Sequence, residues 1–477
     1  MRAFTVNRNI VEMEYAVRGP IPQRAAELRA AGRQTIPCNI GNPQALGQKP
    51  ISYYRRVLAL LQRPDLVQRE RVLRNVCDRG GLPDGLDLCS EHELAVAERM
   101  LAGFGTGVGA YTESKGPRFV REAVAAFIDR RDGTPEGSPL RSDPERVFLT
   151  NGASEAAKHV IEVLLGSPTA GIMIPIPQYP LYSATVRKCG GVQVDYFPDE
   201  ERGWALSREM LEEPLAAARR RGIDVKAIVV INPGNPTGAV LDRSSVDEVI
   251  ELALDNGLAI IADEVYQDNL YGAEFFSFAE VLGSRPVPLF SLHSVSKGFY
   301  GECGQRGGYL EVRNPPCVEV PGRQDLDFMD LLVKQASVSL CSNTMGHALT
   351  YLMVSPPPDG SEPYERFRQE RATVLRDLFD KATMIRGAFE EMDGVECFGR
   401  TGAMYLFPRL GIMPPGATDF DYCMSLLEET GLCTVNGSGF GQRPGTHHLR
   451  IAFLPPREQL EEVLPRWIAF HNDYVRR

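Results

Sequence analysis

The chain has 477 residues, 43% hydrophobic and 24% charged, which is typical of a globular protein large enough for two or three domains. Its net charge of -10 argues against a general nucleic-acid surface, so an anionic substrate would have to be bound by local arginines. The ten cysteines form no CxxC pair and no metal-ligand pattern, which predicts reduced thiols and no metal site.

The N-terminal stretch MRAFTVNRNIVEMEYAVRGPI has no apolar signal core, and no run of about 18 apolar residues occurs along the chain. We therefore expect a cytoplasmic protein without a membrane span. Four helices are predicted, at residues 21–32, 53–61, 91–103 and 117–131. The turn NIGNPQALG at 39–47 could place the backbone of Gly41 against a ligand or could be a plain connector.

From residue 146 the chain alternates strands and helices, the pattern of an α/β domain with a mostly parallel sheet. The strand RVFLT leads into a helix that begins near Ala153 and Ser154. Free backbone amides at a helix N-terminus favour an anion, although Ser154 could equally be a capping residue. Tyr179 follows the next strand at its C-terminal end, where ligands of such sheets bind.

Two further strand ends carry polar side chains. The turn NPGNPTG is rigid and presents Asn235 as a hydrogen-bond donor. The following strand ends in Asp263 and Glu264; a metal site is one reading, but no histidine lies nearby. One carboxylate facing a pyridine nitrogen fits better, because an adjacent negative charge keeps that nitrogen protonated. Tyr266 could then donate to the phenolic oxygen of the same ring.

The segment SLHSVSKGFYGECGQRGGY combines an amine with a site for an anionic group. Lysine is the natural residue for a Schiff base, and Lys297 is flanked by Ser294 and Ser296. Arg306, nine positions further on, could bind a phosphate. Together with the upstream residues, this order predicts a site for pyridoxal 5'-phosphate.

Past residue 355 the composition changes to an exposed linker, a long helix over 364–392 and a smaller α+β unit. Arg450 lies in an apolar strand, where it could pair with a carboxylate of the chain or bind a substrate carboxylate through two hydrogen bonds. We predict an N-terminal arm with part of the small domain at 1–95, a large cofactor-binding domain at 96–355 and the small domain at 356–477.

With these residues identified, the chain resembles the alanine aminotransferase family of fold-type I pyridoxal phosphate enzymes. The similar motifs are VEMEYAVRGPI, NIGNPQALGQKPI, NPGNPTG, ADEVYQ, SVSKGFYGECGQRGGY, GAMYLFPR, LLEETG and GSGFGQRPGTHHLR. They span nearly the whole chain. The resemblance implies the aspartate aminotransferase-like α/β fold, with a mostly parallel central sheet in the large domain and a smaller α+β domain.

The resemblance also implies a role for each matching residue. Lys297 forms the Schiff base and moves the substrate proton, Asp263 pairs with the pyridine nitrogen, and Tyr179 stacks on the ring. Asn235 and Tyr266 contact the ring oxygen. The residues implied to hold the phosphate are Ala153, Ser154, Ser294, Ser296 and Arg306. Arg450 takes the substrate carboxylate and Gly41 lines the pocket, while Tyr111 reaches the phosphate of the other subunit of a homodimer.

Four features depart from the family pattern: Asn151 stands where aspartate is usual, LCSNTMGH with Asn343 replaces a proline-rich stretch, Asn436 replaces a common proline, and the Cys77–Cys89 loop looks different. These changes leave the cofactor chemistry intact but bear on side-chain specificity. The leading hypothesis is transfer of an amino group between L-alanine and 2-oxoglutarate. Alternatives are another donor or acceptor, such as glutamate with glyoxylate, or a lyase on the same fold. A ligand-sensing regulator is disfavoured, because such regulators carry a DNA-binding domain ahead of this fold and the first 40 residues are too short for one and lack a helix-turn-helix pattern.

Overall fold

The computed structural model of the chain describes residues 4–13, 19–81, 86–105, 107–319 and 322–477. The motif VEMEYAVRGPI and the Cys77–Cys89 loop, both singled out in the sequence, lie partly outside these residues. None of the helices in the described ranges is long and apolar enough to cross a membrane.

Helices surround both faces of the main sheet. In the described residues they are α1 (Arg8–Val11), α2 (Pro20–Ala30), α3 (Ser52–Gln62), α4 (Asp65–Asp78), α5 (Glu91–Phe104), α6 (Arg118–Arg131), α7 (Ala153–Leu164), α8 (Leu181–Cys189), α9 (Arg208–Arg220), α10 (Arg243–Asn256), α11 (Phe278–Leu282), α12 (Phe328–Ser337), α13 (Thr344–Val354), α14 (Tyr364–Glu390), α15 (Asp419–Thr430) and α16 (Arg457–Tyr474). Short 3-10 helices lie at Gln44–Leu46, Pro144–Arg146, Cys303–Gln305 and Gly437–Phe440.

The strands are β1 (Ile36–Pro37), β2 (Val147–Leu149), β3 (Ala170–Pro175), β4 (Val192–Tyr196), β5 (Asp224–Ile231), β6 (Ala259–Asp263), β7 (Leu289–Ser294), β8 (Gly308–Arg313), β9 (Val395–Glu396), β10 (Tyr405–Leu406), β11 (Arg409–Leu410), β12 (Leu432–Cys433), β13 (Val435–Asn436) and β14 (Leu449–Ala452). Seven of them form the main sheet in the order β2-β8-β7-β6-β5-β3-β4.

The main sheet is mostly parallel, as the sequence predicts. Strands β4, β3, β5, β6 and β7 pair in parallel, and β8 runs antiparallel to both of its neighbours. Strands β3, β6 and β7 are buried along their whole length, because helices cover both faces of the sheet. The carboxyl ends of β5, β6 and β7 therefore meet at one edge, where ligands of such sheets bind.

A smaller unit is built from both ends of the chain. Strands β10, β14 and β13 form an antiparallel sheet, and β1 pairs in parallel with β12, so that Ile36 lies opposite Leu432. One hydrophobic cluster joins Ile21 and Leu28 of α2 to Leu426 of α15 and Trp467 of α16. The N-terminal segment is thus packed into the C-terminal unit.

Helix α4 is absent from the sequence prediction. Between residues 50 and 105, that prediction contains only the helices that correspond to α3 and α5. Val67 is its one buried residue, because most of its side chains are polar or charged, so the helix has few of the apolar side chains that mark a core helix in a sequence. The long C-terminal helix agrees better with its prediction: α14 runs unbroken from Tyr364 and ends two residues before the predicted end.

Candidate active site

A cavity of about 270 Å³ opens at the carboxyl edge of the main sheet, where the smaller unit packs against it. Its lining residues are Gly41, Asn42, Ala153, Ser154, Tyr179, Leu181, Ile231, Asn235, Asp263, Val265, Tyr266, Ser294, Ser296, Lys297, Cys303, Arg306, Tyr405 and Arg450. Every site residue predicted from the sequence lies in this lining except Tyr111. The sheet and the smaller unit thus bring together residues from positions 41 to 450.

One corner of the cavity is built to hold an anion. Helix α7 begins at Ala153, and Gly152 precedes it with φ 76, so the first amides of the helix face the cavity unblocked. The Arg306 guanidinium donates to the carbonyl of Asn151 at 2.6 Å and to the hydroxyl of Ser154 at 3.3 Å. A Cβ on Gly152 would lie 2.7 Å from Arg306 Nη2, so this close approach requires glycine.

Asp263 ends strand β6 with a buried carboxylate that is only half satisfied. Its Oδ2 accepts a hydrogen bond from the Tyr182 hydroxyl at 2.7 Å, while its buried Oδ1 has no hydrogen-bond partner within the described residues. Burial raises the pKa of this carboxyl, while the bond from Tyr182, the nearby Val265 amide and the charge of Lys297 oppose that rise. A cationic N–H group in the cavity would satisfy the free oxygen.

Lys297 follows strand β7 by three residues, and its amine donates to the carbonyl of Gly41 at 2.7 Å. Gly41 is packed tightly: a Cβ there would lie 1.8 Å from the Tyr405 hydroxyl and 3.3 Å from Lys297 Nζ. Any other residue at position 41 would displace the amine or the tyrosine. The NIGNPQALG turn is therefore part of the cavity wall rather than a plain connector.

Arg450 is a buried cation whose hydrogen-bond acceptors are both neutral. It is 2% exposed and donates from Nη1 to Asn235 Oδ1 at 3.1 Å and from Nη2 to the carbonyl of Asn39 at 2.6 Å. Its buried Nε has no acceptor within the described residues. A buried guanidinium without a carboxylate partner is costly, so this arrangement favours the binding of a substrate carboxylate over a structural ion pair.

Tyr405 is the main functional residue that the sequence reasoning missed. Its ring lies 4.3 Å from the Arg450 guanidinium, and its hydroxyl accepts a bond from Tyr266 at 3.4 Å. Burial raises its pKa, but the charges of Lys297 and Arg450 and the bond from Tyr266 more than offset this and lower it. The motif GAMYLFPR contained this residue without indicating a role. The sequence analysis also missed Tyr182, which lies in the first turn of α8, and Cys303.

The positions that depart from the family pattern do not line the cavity in the described part of the chain. Two of them contact each other, because the Asn343 amide donates to Asn151 Oδ1 at 2.8 Å. The Asn436 side chain donates to the hydroxyl of Ser438 at 2.7 Å. These departures therefore affect the support of the cavity rather than its lining.

A comparison with known families matches residues 86–466 of this chain to the model for aminotransferase class I and II. The chain belongs to this aminotransferase family. Its curated relatives include alanine aminotransferase 1 of Homo sapiens, which is 43% identical over 98% of this chain and 94% of that protein. Glutamate–glyoxylate aminotransferase 1 of Arabidopsis thaliana is 39% identical over 99% of this chain and 96% of that protein.

A third aminotransferase relative is the inactive alanine aminotransferase of Saccharomyces cerevisiae, which is 40% identical over 98% of this chain and 93% of that protein. Overall sequence identity to a relative therefore does not show whether a chain is active. The residues that line the cavity are the relevant evidence. Among solved structures, an alanine aminotransferase from Pyrococcus furiosus has a TM-score of 0.76 at 24% identity, covering 98% of this chain and 100% of that one. This similarity supports the aminotransferase fold.

Proposed function

We propose that the cavity of this aminotransferase holds pyridoxal 5'-phosphate. The phosphate would lie at the start of α7, where the amides of Ala153 and Ser154 and the guanidinium of Arg306 converge. The unpartnered Oδ1 of Asp263 fits the pyridinium N–H, which needs a buried acceptor with negative charge. When bound, this cofactor supplies an electron sink for the carbanion of the substrate.

The residues of the chain would bind the substrate and move its proton. Arg450 holds the substrate carboxylate, and Asn235 and the Tyr405 ring fix the guanidinium in place. The amine of Lys297, which lines the same cavity, removes the proton from the α-carbon of the substrate and returns it later. With the carboxylate held by Arg450, the bond between the α-carbon and its hydrogen is oriented toward the amine. Such orientation can lower the activation barrier by about 7–11 kcal/mol in well-oriented systems.

We further propose L-alanine and 2-oxoglutarate as the substrates, giving pyruvate and L-glutamate. The similarity to the human alanine aminotransferase supports this choice. The observation that carries the proposal is the convergence of Lys297, Asp263 and Arg450 on one cavity.

A second candidate is transfer from glutamate to glyoxylate, which is supported by the similarity to the Arabidopsis thaliana enzyme. A panel of amino donors and 2-oxo acid acceptors, measured with the purified holoenzyme, distinguishes the two. Our proposal requires L-alanine with 2-oxoglutarate to have the highest kcat/KM. A clear preference for glyoxylate as acceptor would replace it with the second candidate.

We also propose a homodimer in the cytoplasm, with Tyr111 of each subunit at the phosphate of the other. Tyr111 is 78% exposed and stands outside the cavity lining of its own chain. Val338 and Leu340 are also exposed nearby, where the Ser337 hydroxyl bonds that of Ser114 at 2.9 Å. An exposed tyrosine beside exposed aliphatic side chains suits a contact between subunits. Sedimentation of the wild type and of Tyr111→Ala tests the dimer, and cell fractionation tests the location.

A further inference from the structure

Arg450 is one layer of a stack of side chains that we call the Arg450 stack. Its guanidinium lies between the rings of Tyr405 and Phe440, at 4.3 and 4.6 Å from their centroids. The Phe440 ring meets Phe407 edge-on at 6.2 Å, and Phe407 lies flat on the imidazole of His448, with 4.8 Å between centroids and 7° between planes. His448 is therefore connected to Arg450 through two phenylalanine rings.

Each ring nitrogen of His448 lies within hydrogen-bond distance of a side-chain oxygen. The amide nitrogen of Gln442 donates to Asp419 at 2.7 Å, so the Gln442 carbonyl oxygen must face His448 Nδ1, at 2.9 Å. On the other side of the ring, Nε2 lies 2.9 Å from Glu200 Oε1. An oxygen acceptor at each nitrogen requires a hydrogen on both, so this geometry fits the imidazolium form.

The charged groups around this imidazole come from four segments of the chain. Glu200 contacts it directly and also lies 3.7 Å from the guanidinium of Arg409, which in turn pairs with Glu201 and Glu396. On the opposite side, Asp419 acts through Gln442 and also accepts two bonds from Ser438, at 2.7 and 2.9 Å. The Phe407 and Trp204 rings flank the imidazole and are uncharged.

The His448–Glu200 bond joins the two parts of the molecule that form the cavity. Glu200 follows β4 at the edge of the main sheet, and His448 precedes β14, the strand that carries Arg450 two residues later. A second link lies close by, where the amide of Gln178 donates to the carbonyl of Phe440 at 2.8 Å. These two contacts, together with the bond from Arg450 to Asn235, hold the Arg450 stack against the main sheet.

We propose that His448, protonated and bonded to Glu200, is a positioning residue for Arg450, so that binding of the substrate carboxylate depends on the imidazolium. The inference rests on the proposed role of Arg450 as the carboxylate anchor. In the neutral imidazole, one ring nitrogen has a lone pair that faces an oxygen of Glu200 or Gln442. The repulsion between them would displace the imidazole and the Phe407 ring stacked on it. An effect on the carboxylate anchor acts on the bound substrate and the transition state alike, so KM should change and kcat should not.

The test is the pH dependence of KM for 2-oxoglutarate, which has no amine to titrate, measured with the holoenzyme and saturating amino donor. In the wild type, KM should rise roughly tenfold with increasing pH as the imidazolium is lost, the size expected for a hydrogen bond to a charged group, while kcat stays within about twofold. His448→Phe keeps the ring on Phe407 but has no N–H, so its KM should be high and independent of pH. Glu200→Gln should also raise KM, because it removes the charged partner that holds the imidazole in place.

His471→Phe is the matched control. His471 is as deeply buried as His448 but bonds Tyr422 and the carbonyl of Asp393 in the core of the smaller unit, away from the cavity. Its variant should keep the pH profile of the wild type even where it lowers thermal stability. A change in KM in both variants would overturn the inference, because it would reflect a general loss of packing.

Trp204 provides a readout other than activity, since its ring lies 6.3 Å from His448 and 6.0 Å from Phe407. The chain has two tryptophans, so Trp467→Phe leaves Trp204 as the sole emitter. Its emission should change over the same pH range as KM, and this change should be absent when His448→Phe is added. A wild type without transaminase activity would overturn the proposed function and this inference with it. An active enzyme whose KM profile is the same in His448→Phe would overturn this inference alone.

Discussion

Two adjacent carboxylates at the end of β6 lie in opposite surroundings. Asp263 faces the cavity, accepts one bond from Tyr182 and keeps one buried oxygen without a partner in the described residues. Glu264 faces away from it, where its Oε1 accepts the Phe278 amide at 2.8 Å and its Oε2 lies 3.6 Å from Arg131. Neighbouring residues of a strand point to opposite sides. On the cavity side, Asp263 can therefore accept a further hydrogen bond from a ligand. On the opposite side, Glu264 is bound to other parts of the chain and stabilises the fold.

The two sides also differ in how their charges are compensated. Burial raises the pKa of Glu264 to about 7, and the charge of Arg131 opposes this only in part. Arg131 is bound more closely to Asp132, at 2.6 Å, and this partner keeps it charged despite burial. Burial raises the pKa of Asp263 as well. There, however, a bound cationic ring nitrogen would restore the ionised form.

The largest effect should come from removing the amine on the cavity side. Lys297→Ala should lower the transamination rate by at least about 10³-fold, because no other amine of the chain lines the cavity in the described residues. Its thermal midpoint should stay near that of the wild type, since the one hydrogen bond lost is to the Gly41 carbonyl. Initial rates with L-alanine and thermal unfolding measure both. Substantial residual activity would refute the role of Lys297.

Asp263→Ala should have the next largest effect, a loss of roughly 10²–10³-fold in kcat/KM. The thermal midpoint should be unchanged or higher, because a buried and half-satisfied carboxylate is removed. Tyr182→Phe keeps Asp263 but deletes its hydrogen bond, so a loss of about tenfold is expected. If Asp263→Ala instead unfolded the protein while retaining specific activity, the distinction between the two sides would be wrong.

Glu264→Gln should have the smallest effect on activity and a pH-dependent effect on stability. The raised pKa means that the folded protein binds a proton between about pH 4.5 and 7 that the unfolded chain has released. Wild-type stability should therefore fall across this window as pH rises, by up to roughly 3 kcal/mol. Glutamine preserves the acceptor for Phe278 without titrating. Its gain in thermal midpoint should be larger at pH 7.5 than at pH 5, and equal gains at both would contradict the assignment.

The sequence predicted the cavity side of the main sheet better than any other region. Strand ends and the first turn of a helix are local features, so Ala153, Asp263 and Lys297 could be placed at one edge from the order of elements. The mostly parallel sheet followed from the same alternation. The antiparallel direction of β8 could not be predicted, because the periodicity of a strand shows neither its neighbour in the sheet nor its direction relative to that neighbour.

The Arg450 stack could not be predicted in the same way. It joins residues from the separate segments 405–407, 440 and 448–450, which meet only when β10 and β14 pair. No local pattern indicates which ring covers a guanidinium. The sequence alone therefore allows both roles for Arg450, and its neutral partners, Asn235 and the Asn39 carbonyl, favour the binding of a substrate carboxylate.

The most direct test of the whole account is the absorbance spectrum of the purified holoenzyme, titrated with L-alanine in the absence of any 2-oxo acid. The account predicts that the visible band of the lysine-bound cofactor is replaced by that of the aminated cofactor, and that adding 2-oxoglutarate restores the original band. This outcome would establish both halves of the transfer and both substrates. A visible band that L-alanine leaves unchanged would contradict the proposed substrate.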